Sequence, residues 1–386
     1  MKILLRFTWL VLGSVSTLAF VALVLSLPTT APAAAVRADG SPTPAASLFL
    51  PLLARHPQND PPGQWTRYDL PGAAPKVNRL VMSSASSGWA AGSVDGVGAI
   101  WRFDGAAWHL ENLPPSGTLT GLAVVSDADV WAVGAGIDTP GAMLHWDGSA
   151  WTLTPWRPES LTAIIALSAS DAWAVGVDPA TKVSAAVYHW NGAAWTPFPA
   201  PAPNFAAGLF SAVNANDIWL TAINGYTMGN LGLIHWNGAA WATEGTPSAP
   251  RWGFSIIAPD DGWETFGLTG CTTTPPRGAP PCESMGAIDR WSGGTWQPGI
   301  LLHDYGINDV QAITPDLAWG IGYGDSVPRG FVGPVTHTAR LLRWNGQTWS
   351  VIDTRPGEPL SLMSVVAPND IWASDREAAI LHYPAR

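Results

Sequence analysis

Lysine is almost absent: the chain has three in 386 residues, and Lys plus Arg total 19 against 29 Asp plus Glu. A net charge of −10 argues against nucleic acid as a partner, because phosphate-backbone binding needs clustered Lys and Arg. Only two Cys occur, too few for a disulfide-dense scaffold or a four-Cys zinc site. Charged residues make up 12%, against about 25% in an average soluble domain. There is no H-E-x-x-H, no G-x-S-x-G and no P-loop, so metalloprotease, α/β-hydrolase and nucleotide chemistry lack support. Helical periodicity of 3.6 residues is also missing, which sets helical repeats aside. No cofactor and no metal site is expected.

What the chain has in quantity is Gly (40), Pro (35) and Trp (23), with apolar residues that recur in order rather than at random. Its length suits one large domain or two ordinary ones. Lys2 and Arg6 precede an apolar run from Phe7 to Leu27, followed by Ala31-Pro32-Ala33-Ala34-Ala35. That order reads as a secretory signal cleaved after Ala35. The run is long enough to span a bilayer, so an uncleaved membrane anchor through residues 7–27 is the alternative. Either way the remainder is expected to be exported, secreted or held at the cell surface. Residues 1–35 are thus the signal or anchor, 36–62 a Pro-rich linker, and 63–386 the folded domain.

One pattern fills that domain. An apolar strand is followed by D-V-W-A-V-G and then by L-H-W-D-G-x-x-W, seen best at Asp129–Gly134 and Leu144–Trp151. The first Trp recurs at Trp89, Trp131, Trp173, Trp219, Trp263, Trp319 and Trp372. A second aromatic column comprises Phe103, Trp146, Trp190, Trp236, Trp291, Trp344 and Tyr383; a third comprises Trp108, Trp151, Trp195, Trp241, Trp296 and Trp349. Each copy holds four strand-sized pieces, with Asp-Gly or Asn-Gly hairpin turns before the third column. Four strands per unit, at a period of roughly 42–56 residues, predict an all-β, seven-bladed β-propeller. The seventh copy lacks its third Trp, and Gly63-Gln64-Trp65-Thr66 supplies a matching piece at the other end of the domain. An N-terminal strand is therefore expected to complete the last blade and close the ring. The aromatic columns are expected to fill the wedges between blades.

His145, His189, His235 and His382 share one blade position, but related positions in different blades lie too far apart to ligate one metal. The repeated Asp129, Asp171, Asp217 and Asp370 read as turn residues bonding their own backbone. The Arg residues follow no repeat column aimed at the axis. Cys271 and Cys282, in a Thr/Pro/Gly-rich insertion, are expected to form a disulfide in an exported protein. The longest insertions, about Leu268–Ala287 and Gly324–Thr338, read as loops between second and third strands, on the face where blades connect. The connections on that face carry off-pattern residues: Trp156, Arg157 and Glu159; Arg251 and Trp252; His303, Asp304 and Tyr305. These are the candidate ligand-binding residues, because binding groups concentrate on loops held by a rigid scaffold.

Ser87–Gly92 with Ala99–Trp108 resembles the repeat of photosystem II assembly-factor-like propellers, within the BNR or Asp-box group. Asn345–Trp349 and Gly293–Trp296 match the end of an Asp-box, although its Ser and Asp are replaced by Leu342 and Trp344 in copy six. The L-H-W-D-G-S-A-W segment is similar to the repeat of seven-bladed fucose-binding lectins. These resemblances imply a propeller over all of 63–386. With no catalytic constellation, the expected function is a non-enzymatic binding or scaffolding module at the cell surface, its ligand a protein or a carbohydrate, and a monomer. Two alternatives stay open: a lectin-like glycan binder, and a degenerate BNR-type glycosidase or lyase using carboxylates such as Glu159, Asp304 or Glu358.

Overall fold

The computed structural model describes the backbone of residues 65–383 apart from 157–158, 179–184, 201–204, 225–229, 245–250, 272–281, 304, 327–335 and 376–377. Every described element is a strand, and the strands form seven four-stranded antiparallel sheets. The protein is a seven-bladed β-propeller. Blade 2 comprises Leu119–Ser126, Asp129–Ala135, Gly141–Trp146 and Trp151–Trp156, within a residue of the strands read from its sequence. Its outer hairpin turns at Asp147-Gly148. The Asp147 carboxylate accepts the amides of Ser149 and Ala150, and Gly148 takes φ 91°, which an L side chain resists.

Blade 7 is built from both ends of the domain. Thr66–Tyr68 pairs with Ile380–Tyr383 as its outermost strand, in the order expected from the sequence. Trp65 packs edge-on against Tyr383 at 5.3 Å and donates its indole N–H to Asp353 in blade 6. Tyr68 stacks on Trp372 at 5.5 Å. Arg67 pairs with the buried carboxylate of Asp375 at 2.9 Å. The closing strand is short, so these side chains carry much of its attachment.

The aromatic columns mesh between blades. Trp131 of blade 2 meets Trp190 and Trp195 of blade 3 at 5.3 and 5.6 Å. Trp263 meets Trp344 and Trp349 at 4.9 and 5.2 Å, and Trp372 meets Phe103 of blade 1 at 4.8 Å. Between blades 3 and 4, Phe198 is inserted between Trp173 and Trp236. First-column rings thus fill each wedge against the second and third columns of the next blade, mostly edge-on or tilted, as ring quadrupoles favour.

The two long insertions differ from expectation. They extend the blade ladder rather than leaving it as loops: pairing continues to Cys271 opposite Cys282 in blade 5, and to Ser326 opposite Thr336 in blade 6. Alternating side chains let an antiparallel hairpin lengthen with no change of topology. The register sets the Cys271 and Cys282 backbones face to face, but their side chains, and so the expected disulfide, lie outside the described residues. So do the apolar run 7–27 and the linker.

Candidate functional site

The seven inner strands are Pro75–Ser84, Leu119–Ser126, Ser160–Ser168, Phe205–Asn214, Arg251–Ala258, Tyr305–Thr314 and Leu360–Ala367. Each touches the inner strands of both neighbours, so together they ring the axis. Every one is bulged near its start, between Val77 and Arg79, Leu119 and Gly121, Leu161 and Ala163, Ala207 and Phe210, Arg251 and Gly253, Ile307 and Asp309, and Leu360 and Leu362. A bulge bends its strand and re-aims one side chain. Here the bulges lie at one axial level, beside the blade connections, and form the mouth of the ring.

Three of the bulged residues bind blade to blade. Asn78 donates to the carbonyl of Leu119 at 2.7 Å, Thr120 to that of Leu161 at 3.2 Å, and Asn308 to that of Leu360 at 2.5 Å. Ser361 bonds instead to Ser374 of its own blade, Gly208 has no side chain, and blade 5 carries Trp252. Its side chain remains 44% exposed although it stands on an inner strand. A Cβ added at Gly267 would meet the Trp252 indole at 3.4 Å, so the ring lies over a glycine of the adjacent strand. Trp252 thus presents an exposed flat ring over bare backbone at the mouth.

One residue further in, the ring carries a charge of each sign. Arg79 stands in blade 1 and Asp309 in blade 6. The Asp309 carboxylate accepts the amides of Val310 at 2.9 Å and Met363 at 3.1 Å. Burial pushes its pKa up to about 7, against the opposing pull of those amides and of Arg79. Burial likewise lowers the pKa of Arg79, whose charge Asp309 partly supports. Gly253 of blade 5 lets Asp309 lie close: a Cβ there would come within 2.7 Å of Asp309 Oδ1. Among the described residues no Arg column faces the axis; a single Arg and a single Asp stand at this level. The bulge register shows them, and no repeated motif does.

Deeper still, Ser211, Ser255, Gln311 and Ser364 accept the inner-strand amides of Ile256, Ala312, Val365 and Met82 of the following blades. Blades 4 to 7 are thereby hydrogen-bonded around the axis and on to blade 1. At the equivalent position blades 1 to 3 carry the apolar Val81, Ala123 and Ile165.

Among the sequence-derived candidates, Trp252 stands at the mouth. Trp156 ends the outer strand of blade 2 and packs edge-on against Tyr188 at 4.9 Å. Glu159 precedes the inner strand of blade 3 and accepts the Tyr188 hydroxyl at 2.5 Å. Burial, aided by Glu159, raises the Tyr188 pKa well above that of an ordinary phenol. Trp156 and Glu159 are thus both engaged by Tyr188 between blades 2 and 3. Arg251, His303 and Tyr305 are placed by their backbone alone, Arg251 beside Trp252. Arg157 and Asp304 fall outside the described residues, and Glu358 is partly buried ahead of the blade 7 inner strand.

The opposite face corrects the reading of the repeated Asp. Its carboxylate does not cap its own turn but takes a His from the neighbouring strand: Asp129 with His145 at 2.9 Å, Asp171 with His189 at 2.9 Å, Asp217 with His235 at 3.0 Å and Asp370 with His382 at 2.8 Å. The Trp two residues later shares the Asp face of the strand and stands opposite the His, so the three groups converge. Each His stacks on that Trp, with centroids 3.8 to 4.3 Å apart. Asp171, Asp217 and Asp370 also accept the Trp indole N–H. In blades 1, 5 and 6 the His is replaced by Arg102, Arg290 and Arg343, each over the same Trp at 5.0 to 5.4 Å. Among the described residues no group of His, Cys, Asp and Glu could hold a metal.

No known protein family matches this sequence, and no curated protein does. Solved structures do match in fold. YCF48 bound to D1 peptide aligns with a TM-score of 0.57 at 17% identity, over 85% of this chain and all of that one. The GH74 xyloglucanase of Xanthomonas campestris aligns at 0.55 and 12% identity, over 82% of this chain and 53% of its own length. A streptogramin B lyase aligns at 0.54 and 11% identity, over 83% and 97%. At such identities the likeness is one of architecture, and the class it defines is the seven-bladed β-propeller, a scaffold on which binding and catalysis both occur.

Proposed function

We propose that this protein is an exported binding module whose ligand docks at the mouth of the propeller, on the face where blades connect. The observation that carries the reading is Trp252: a bulge position that in blades 1, 2 and 6 bonds to the next blade instead presents a half-exposed indole. The extended hairpins of blades 5 and 6 rise on the same face and would flank a ligand there. Arg251, His303, Asp304 and Tyr305 belong to the same pair of blades in sequence and would supply polar contacts. Trp156, Arg157 and Glu159 form a second group, between blades 2 and 3.

A carbohydrate is the favoured ligand, since a flat ring over glycine offers a sugar its apolar face. In this reading the signal segment carries the chain out of the cytoplasm, and the Cys271–Cys282 bridge closes the tip of the blade 5 hairpin. A glycan array with the full chain and its Trp252→Ala variant tests the proposal. Binding by the wild type that the variant loses supports it. Binding that Trp252→Ala leaves intact refutes the assigned site, and an array without signal directs the search to protein partners by surface crosslinking. Mass analysis with and without reductant tests the bridge, and two alkylatable thiols in the native protein would refute it.

A further inference from the structure

Arg79 and Asp309 stand just inside the mouth, on inner strands of blades that are not adjacent. Arg79 donates one hydrogen bond, from Nη1 to the carbonyl of Asn78 at 2.7 Å. Among the described residues it makes no other hydrogen bond and no ion pair. A guanidinium has five N–H donors, so most of this one is unused. Asp309 is held by two amides and keeps further acceptor capacity. The two charges influence one another without touching. Both side chains are half-buried, and holding a half-buried charge without a contacting partner has a cost that apolar residues at the same positions would avoid. The same level of the ring is small or apolar elsewhere, at Gly121, Ala163, Leu209, Gly253 and Leu362. At that level the two charges meet no other polar side chain among the described residues.

We propose that Arg79 and Asp309 form an axial receptor for a small ligand that carries a carboxylate beside a hydrogen-bond donor, as an α-amino or α-hydroxy acid does. The ligand carboxylate would sit on the planar fork of Arg79, which matches two oxygens at once. The adjacent ammonium or hydroxyl would donate to Asp309. Such a ligand satisfies both half-buried groups together, whereas a simple anion leaves Asp309 unused and a simple amine leaves Arg79 unused. The proposal rests on the preceding reading only in that ligands would enter by the same mouth.

Calorimetric titration of the full chain with L-alanine, L-lactate, acetate and methylamine tests it. Alanine or lactate is expected to bind at least tenfold more tightly than acetate, with methylamine silent; whichever of the two binds identifies the donor. Arg79→Gln should abolish binding of all carboxylates. Asp309→Asn should retain acetate binding and lose most of the preference over it. Circular dichroism establishes that each variant is folded, and Arg79→Lys, expected to bind at least tenfold more weakly than wild type, serves if Arg79→Gln does not fold. Equal affinity for acetate, alanine and lactate would overturn the proposal, as would no carboxylate binding or binding untouched by either Arg79 variant. A Trp252-dependent glycan signal without carboxylate binding would sink the axial receptor and leave the binding face standing.

Discussion

The two ends of the propeller follow opposite rules. On the face with the Asp–His–Trp stacks, all seven blades place a cationic or imidazole side chain over the same Trp. At the mouth, equivalent bulge positions carry Asn78, Thr120, Thr162, Gly208, Trp252, Asn308 and Ser361, and the next position adds an isolated Arg79 and Asp309. Each wedge between blades poses the same packing problem and receives the same solution. The axis is shared by all seven blades, so a group there need appear only once. Repetition in this protein marks what holds the blades together, and departure from it marks where a ligand could be told apart.

The sharpest test of the repeated half is Trp131→Ala. That ring is buried against Trp190 and Trp195, and its loss should cost about 3–5 kcal/mol, read from thermal or denaturant unfolding. A melting shift near zero would contradict the assignment of the columns to the core.

At the mouth, Asp309 should make stability depend on pH. Its folded pKa is about 7 against 3.8 for an ordinary aspartate. Between about pH 4 and 7 the folded state therefore binds more protons than the unfolded one. This group's contribution should make stability fall as pH rises through that window and level off above it. Asp309→Asn should flatten this part of the profile, and an unchanged profile would show that the carboxyl is not held in its acid form. Asp104 and Asp147, whose turn hydrogen bonds lower their pKa to about 2, act only below pH 4 and do not obscure the window.

A smaller loss is expected from Asp370→Ala, which strips His382 and Trp372 of a shared acceptor in a buried setting and should cost about 1–3 kcal/mol. Were the Asp a solvated turn residue, as the sequence suggested, the change would be close to neutral. Smallest of all is the stability effect of Trp252→Ala, within about 0.5 kcal/mol for a half-exposed side chain, while ligand binding at the mouth should suffer most. A large stability loss with binding intact would move Trp252 into the structural half of the comparison.

The propeller, its seven blades and its closure were legible because Trp spacing and Asp-Gly or Asn-Gly turns recur with the blade period. Trp65 and the missing third Trp of the last copy located the closing strand before any coordinates. In blades 2, 3, 4 and 7 the Asp at the start of the second strand reads as a turn residue because its position beside a turn is visible locally, whereas its His partner lies a hairpin away. In the two insertions Thr, Pro and Gly weaken the strand signal, although both flanks continue the ladder. Trp252 was visible as an off-pattern aromatic, but its place on a bulged inner strand was not.

The sequence by itself determined the architecture: aromatic columns at a fixed period can bury their rings only by stacking sheet against sheet, and seven such sheets with matching ends close a ring. Only the tertiary structure decided which residues meet at the axis. Arg79 and Asp309 lie 230 positions apart on non-adjacent blades, and no local pattern links them. They come together because ring closure and one bulge per inner strand set equivalent positions at the same level around a common axis, a relation that exists in three dimensions and not along the chain.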